Sequence, residues 1–194
     1  MAEVKKRILS KATRITFNPW TENEDGSFTA PASAATAIEL NEIVADSTTI
    51  TREDASTESI ECETSDTPIT EVTTLGKITA EMTSANISDE ILTKCIGFEK
   101  LADGIIVAPA AHKCHYAVLE VEFANSKIVV PKLHIDSNFD ASSLRSNVVK
   151  GAISGTGMDA YVKSGEKEVK TPMFVANTTA ALGTEYTISE VATA

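Results

Sequence analysis

The chain has 194 residues, of which 42% are hydrophobic and only 5% aromatic, and it carries a net charge of −11. That is enough apolar chain to build a core, which excludes a disordered protein, and the acidic balance argues against one that grips a phosphate backbone through Lys and Arg. No apolar run reaches the ~18 residues of a membrane-crossing helix. The start, "MAEVKKRILSKATRITF", lacks the apolar stretch of a secretory signal. Cys62, Cys95 and Cys114 are too scattered for a disulfide framework and fit a reducing compartment.

Residues 1–16 hold five basic groups (Lys5, Lys6, Arg7, Lys11, Arg14) and one acid (Glu3), a net of +4 that leaves −15 for the rest. Such asymmetry favours head-to-tail contact between copies, basic arm on acidic body; a solvated basic start explains it equally well. "RITF" within this stretch reads as a strand. Residues 18–35, "NPWTENEDGSFTAPASAA", show no periodicity yet contain Trp20 and Phe28. Two large aromatics in such a loop either anchor it on a neighbouring molecule or fold it onto its own core.

From residue 36 the pattern is of short strands: "AIELNEIV", "TTITRED", "ESIECE" and "PITEVTTLGKITAEMT". In the last, Ile78, Ala80 and Met82 alternate with Thr79, Glu81 and Thr83, one face inward and one polar. Gly76 marks a bend or bulge there. "SDEILTKCIG", residues 88–97, is the one clear helix. Ser88 caps it, Asp89 and Glu90 suit the positive end of its dipole, Ile91, Leu92, Cys95 and Ile96 form an apolar face, and Gly97 ends it.

After a further strand, "GIIVAP", comes the best-patterned stretch, "VLEVEFANSKIVVPKLHID" (118–136). Leu119, Val121 and Phe123 face one way and Glu120 and Glu122 the other, with the turn in "ANSK". On the return strand Val129, Leu133 and Ile135 are expected to share a face, opposite Lys132, His134 and Asp136. Pro131 has no amide to donate, so the strand is either at an edge or interrupted there. "SNFDASSLRS" allows a helical turn, "VVKGAISGTGMDAYV" and "KEVKTPMFVA" close the sheet, and residues 177–194 read as a weakly ordered tail. The expected fold is therefore mainly β: an antiparallel β-sandwich or barrel, residues 36–176, with one short packed α-helix and an N-terminal arm and long loop, residues 1–35.

The tests for chemistry come out poorly. "HKCH" places His112, Cys114 and His115 together, and Cys95 or Cys62 would have to complete a zinc site, whose ligands normally come in two spaced pairs. A Cys–His nucleophile there lacks an activating third group. "GAISGTG" (151–157) is not followed by the helix and Lys-Ser or Lys-Thr step of a phosphate loop. Glu58, Glu61, Glu63 and Asp66 do not match a calcium loop. The expectation is no enzyme, no cofactor and no bound metal. A hairpin with a polar face and acidic rim is instead suited to pairing with copies of itself.

The order of these parts resembles the major tail (tail tube) proteins of long-tailed bacteriophages. The likeness is carried by the N-terminal arm and loop, "TREDASTESIECETSDTPITEV", "GKITAEMTSANISDEILTKCIG", and "YAVLEVEFANSKIVVPKLHI" followed by "LRSNVVKGAISGTGMDAYV". It covers roughly residues 36–176 and is one of order and texture. It implies a cytoplasmically made virion subunit that self-assembles into hexameric rings, stacked into a tube. Double-stranded DNA would pass through without specific binding, and the tape measure, tail terminator and distal tail proteins would be further partners. By position, residues 1–35 and 45–56 would join rings, which makes Phe17, Trp20, Phe28, Arg52 and Asp54 inter-subunit contact candidates. Glu61, Glu63, Glu120 and Glu122 are candidates for an acidic lumen face. The alternatives are another virion component, for head–tail completion or capsid decoration, or a β-sandwich binding module, for which one Trp and three Tyr are few.

Overall fold

A computed structural model describes residues 11–40, 42–43, 47–62, 65–84, 88–102, 104–108, 115–136 and 151–191, with backbone alone for 58–72 and 151. In chain order the strands are β1 (Arg14–Pro19), β2 (Thr21–Glu22), β3 (Phe28–Thr29), β4 (Ile38–Glu39), β5 (Thr49–Arg52), β6 (Ser56–Cys62), β7 (Ser65–Thr74) and β8 (Ile78–Ser84). They continue with β9 (Glu99–Ala102), β10 (Ile105–Val107), β11 (His115–Glu122), β12 (Ser126–Asp136), β13 (Gly151–Met158), β14 (Ala160–Ser164), β15 (Lys167–Thr171), β16 (Phe174–Asn177) and β17 (Thr187–Ser189). The fold is mainly β, as its composition predicts. Its central sheet is antiparallel and runs β4-β1-β11-β12-β13-β8-β5, with β16 also paired to β12. Among the described residues the sheet ends in two separate edge strands and forms no closed barrel. Among the described residues, no helix is long and apolar enough to cross a membrane.

The hairpin of β11 and β12 is the spine of the molecule. β12 pairs along one side with β11, while its other side is shared, Ser126–Val129 with β16 and Lys132–Asp136 with β13. Pro131 falls in the seam between those two partners. On the β11 side, Ala117 pairs with Leu133 and Leu119 with Val130, so Pro131 and Lys132 together oppose the single residue Val118. This is a β-bulge, and it accommodates the missing donor inside a central strand. The interruption is found as expected; the edge position is not.

The bulge also corrects the expected face of Val129. An extra residue shifts the alternation by one, so Val130, Leu133 and Ile135 enter one core while Val129 enters the other. Both faces of the sheet are consequently buried. The first core joins Ile15, Phe17, Ala80, Met82, Leu119, Val121 and Ile153 to the helix residues Ile91, Cys95 and Ile96. The second joins Trp20, Val118 and Val129 to Ala160, Leu182, Tyr186 and Ile188, which belong to a small sheet (β15-β14-β17) and to the segment leading into β17.

The helix lies where the sequence places it but is wider than a regular α-helix. Ser88 Oγ accepts from the amide of Ile91 at 3.3 Å, so it caps as expected. The turn Ile91–Cys95 then closes with Ile96 N donating to Ile91 O at 3.0 Å, a five-residue reach. Gly97 ends it at φ +86°, and a Cβ there would stand 2.0 Å from His115 Nε2.

Two expected boundaries are corrected. Residues 14–35 are not a separate arm, because β1 pairs with β11 from Arg14–Glu122 to Pro19–Ala117 and so lies inside the central sheet. Residues 177–191 are not a loose tail, because Leu182, Tyr186 and Ile188 bury their side chains in the second core and β17 pairs with β14. The segment "SNFDASSLRS" lies outside the described residues.

Two ribbons contrast with this body. β6 and β7 pair with each other from Ser56–Thr74 to Cys62–Ser65 and with no other strand among the described residues. The ribbon springs from a pinched neck: the amide of Glu53 donates to Lys77 O at 2.9 Å, and a Cβ on Gly76 would lie 1.9 Å from Glu53 O. Only glycine permits that approach. The second ribbon is β9 with β10, and every described residue from Glu99 to Ile105 is exposed.

Candidate functional site

The most concentrated chemistry lies on the second face of β11 and β12. Alternation along β11 turns Glu120 toward this face beside Val118, and the tight hairpin brings Lys127 diagonally to it. Lys127 Nζ donates to Glu120 Oε2 at 2.7 Å, and the Tyr186 hydroxyl donates to Glu120 Oε1. Both charged side chains are almost wholly enclosed. The Lys127 ammonium also sits 5.5 Å from the centre of the Tyr186 ring. Burial, reinforced by the hydrogen bond to Glu120, pushes the Tyr186 hydroxyl well above the ordinary phenol range. Acid and base neutralise each other here and the phenol completes the set. The triad is a clamp that ties residues 178–190 onto the hairpin.

A second clamp holds the end of the same segment. Lys132 Nζ lies 2.5 Å from Glu190 Oε1, over the rings of Trp20 (5.0 Å) and Tyr116 (4.5 Å). Trp20 in turn donates from Nε1 to Pro131 O at 3.1 Å, which satisfies a carbonyl at the bulge.

These contacts decide most of the candidate positions. Phe17 is 0% exposed and Trp20 7%, so both are spent inside their own chain and neither offers a surface to another molecule. Phe28 packs edge-to-face on Tyr116 with centroids 4.6 Å apart, again within the chain. The loop that carries it is ordered by its own polar groups. Ser27 donates to Asp25 from hydroxyl and amide, which holds the Asp25 carboxyl below its usual range.

Arg52 and Asp54 are exposed, at the free edge of the central sheet and at the neck of the β6–β7 ribbon. Glu120 is corrected: it is enclosed by Lys127 and Tyr186 and cannot line a lumen. Glu122 is partly covered, with Arg14 Nη1 at 3.8 Å. Glu61 stands in β6, and Glu63 lies outside the described residues.

Of the residues weighed for zinc, His112 and Cys114 lie outside the described residues, while Cys95 is fully buried beneath the sheet. Desolvation pushes its thiol up to about 12, which makes it a small core hydrophobe with little thiolate character. Among the described residues, no three His, Cys, Asp or Glu side chains gather as metal ligands. "GAISGTG" is strand β13, and its glycines serve packing. A Cβ at Gly155 would lie 2.6 Å from His134 O and 2.9 Å from Leu133 Cγ, whereas one at Gly157 would meet side chains at 3.1 Å and beyond.

Gly155→Ala is therefore expected to cost about 1–3 kcal/mol, since backbone and core must both yield. Gly157→Ala should cost less. Urea denaturation reads both as shifts in midpoint; a Gly155→Ala protein as stable as the parent would contradict the close approach of β13 to β12.

Two surface hollows lie beside these clamps. A recess of about 220 Å³ opens above the first clamp, between Arg14, Thr16, Asn18, Glu122 and the turn at Thr178–Ala181. A larger groove of about 490 Å³ lies at the end of β8 and β13, bordered by Arg52, Leu75, Lys77 and Met158. Compared with known proteins, the chain matches no family model and no curated protein.

Proposed function

We propose that this protein is a structural subunit that assembles with copies of itself. Following its likeness to tail-tube proteins, the assembly would be a tube of stacked hexameric rings in a bacteriophage tail. The observation that carries this reading is the contrast between a body buried on both faces of its sheet and two ribbons that stand off it. A two-stranded ribbon is marginally stable alone in water and gains from a partner that covers a face or extends an edge.

The free edges point the same way. β15 is guarded by Lys167, Glu168 and Lys170, as edges protected against pairing are. β5, "TITR", has no such guard before Arg52, and its outer side is unpaired among the described residues. Strand pairing between copies at β5 or at the ribbons would give a lateral interface without disturbing the body. The net charge of −11 suits a tube through which double-stranded DNA slides without specific binding. The tape measure, terminator and distal tail proteins would be its other partners, with assembly in the cytoplasm of the bacterial host and the virion tail as destination.

Negative-stain electron microscopy of the purified protein, across a range of concentration and salt, tests this. Rings or hollow tubes are expected. A single closed oligomer that never lengthens would replace the tube with a head–tail completion or capsid-decorating role, and a monomer under every condition would remove the self-assembly reading.

A further inference from the structure

The surface carries an apolar projection and an apolar hollow that do not meet within one molecule. The projection is the turn end of the β9–β10 ribbon, where Leu101 is 68% and Ile105 53% exposed. The hollow is the 490 Å³ groove, where Leu75 is 68% and Met158 42% exposed, with Pro172 and Val191 as further apolar walls. Its volume falls in the range of roughly 300–1,000 Å³ typical of clefts that enclose a ligand. No described residue of the ribbon borders the groove of its own molecule.

Four of the five large exposed apolar side chains among the described residues thus fall at these two places. Scattered single apolar residues need no explanation, but a paired projection and hollow do. The charges are complementary as well. Asp159 and Glu190 at the groove are engaged by Lys170 and Lys132, which leaves Arg52 and Lys77 as exposed cations at its rim. They would meet a second copy whose net charge is −11.

We infer that Leu101 and Ile105 of one copy seat in the groove between Leu75 and Met158 of the next. The inference rests on the self-assembly reading and names the surfaces it uses. Such a contact joins two different patches: made head-to-tail it closes into a ring or propagates as a filament according to the rotation between copies, and made reciprocally it would stop at a two-fold dimer.

Photocrosslinking tests the contact directly. Protein with p-benzoylphenylalanine in place of Leu101 is mixed with an equal amount of uniformly ¹⁵N-labelled parent protein, assembled, irradiated, and mapped by mass spectrometry. The position is exposed, so folding is retained. Crosslinks between unlabelled position 101 and labelled peptides containing residues 75–77 or 157–159 are expected. Rings or tubes visible by microscopy whose crosslinks fall elsewhere would overturn the inference and leave self-assembly standing. A sample with neither assemblies nor crosslinks between copies would overturn both.

Sedimentation gives a second readout. Leu75→Asp and Leu101→Asp each place a carboxylate in the apolar contact and should weaken self-association at least about tenfold, given what burial of one leucine contributes. Leu75→Asp protein that assembles like the parent would also overturn the inference.

Discussion

Lys127→Met should lower the stability of the folded protein by about 3–5 kcal/mol, the usual cost of removing one partner from a buried ion pair. Methionine keeps much of the lysine stem and its packing, so the loss isolates the charge. What remains is the Glu120 carboxylate, nearly enclosed, with only the Tyr186 hydroxyl as donor. For a chain of this length the change corresponds to a fall in melting temperature on the order of 10 °C. Glu120→Gln combined with Lys127→Met leaves no buried charge in the triad, so the double variant should recover a large part of the loss. Thermal denaturation followed by far-ultraviolet circular dichroism reads all three proteins. Equal stability of Lys127→Met and the parent would mean that water reaches Glu120 and that the triad does not clamp residues 178–190 onto the hairpin.

That clamp also shows where sequence reasoning loses its footing. The alternation of "VLEVEF" places Glu120 correctly on the face opposite Leu119 and Val121. Reading that face as solvated assumes that a strand with acids on one side has water there. The face is covered by residues 178–190, and nothing local to β11 announces it. In that covering segment, Leu182, Tyr186 and Ile188 are spaced by four and two, which is neither a helical nor a strand period, so the segment resembles a tail. The bulge is hidden for a related reason. Pro131 signals an interruption, but only the pairing of Ala117 with Leu133 and Leu119 with Val130 shows which residue is extra, and with it the face of Val129. The strands, the Ser88 cap and the Gly97 stop were legible because each depends on neighbours within a few residues.

The ribbons lie between these extremes. Three of their four strands were readable, from "ESIECE", "PITEV" and "GIIVAP", whereas β9, "EKLA", was not. Their separation from the body was not, since it depends on the pinch of Gly76 against Glu53 and on what the rest of the chain leaves uncovered. A body that satisfies its own aromatics and buried charges leaves the ribbons, the β5 edge and the groove as the surfaces available for contact with other molecules. Of the positions nominated for contact by the likeness, Arg52 and Asp54 lie at those surfaces, whereas Phe17 and Trp20 do not.

Phe17→Ala separates those two assignments. Phe17 lies in β1, pairs with Leu119 of β11 and Ile38 of β4, and is completely enclosed in the first core. Truncating it removes the apolar contact and leaves a cavity that the flanking strands, held by their ladders, can close only in part. The expected cost is about 3–5 kcal/mol, a large share of the ~5–15 kcal/mol by which a domain is normally stable. The loss should appear in the denaturation of dilute, unassembled protein, with the urea midpoint shifted and the slope unchanged. If the protein self-assembles as proposed, assembly should fail only to the extent that folded chain is depleted, and stabilising conditions such as lower temperature or added sucrose should restore both together. An anchor on a neighbouring copy would behave the other way. The dilute subunit would then denature like the parent while assembly alone was lost, and that result would return residues 14–20 to the inter-subunit surface and remove them from the core.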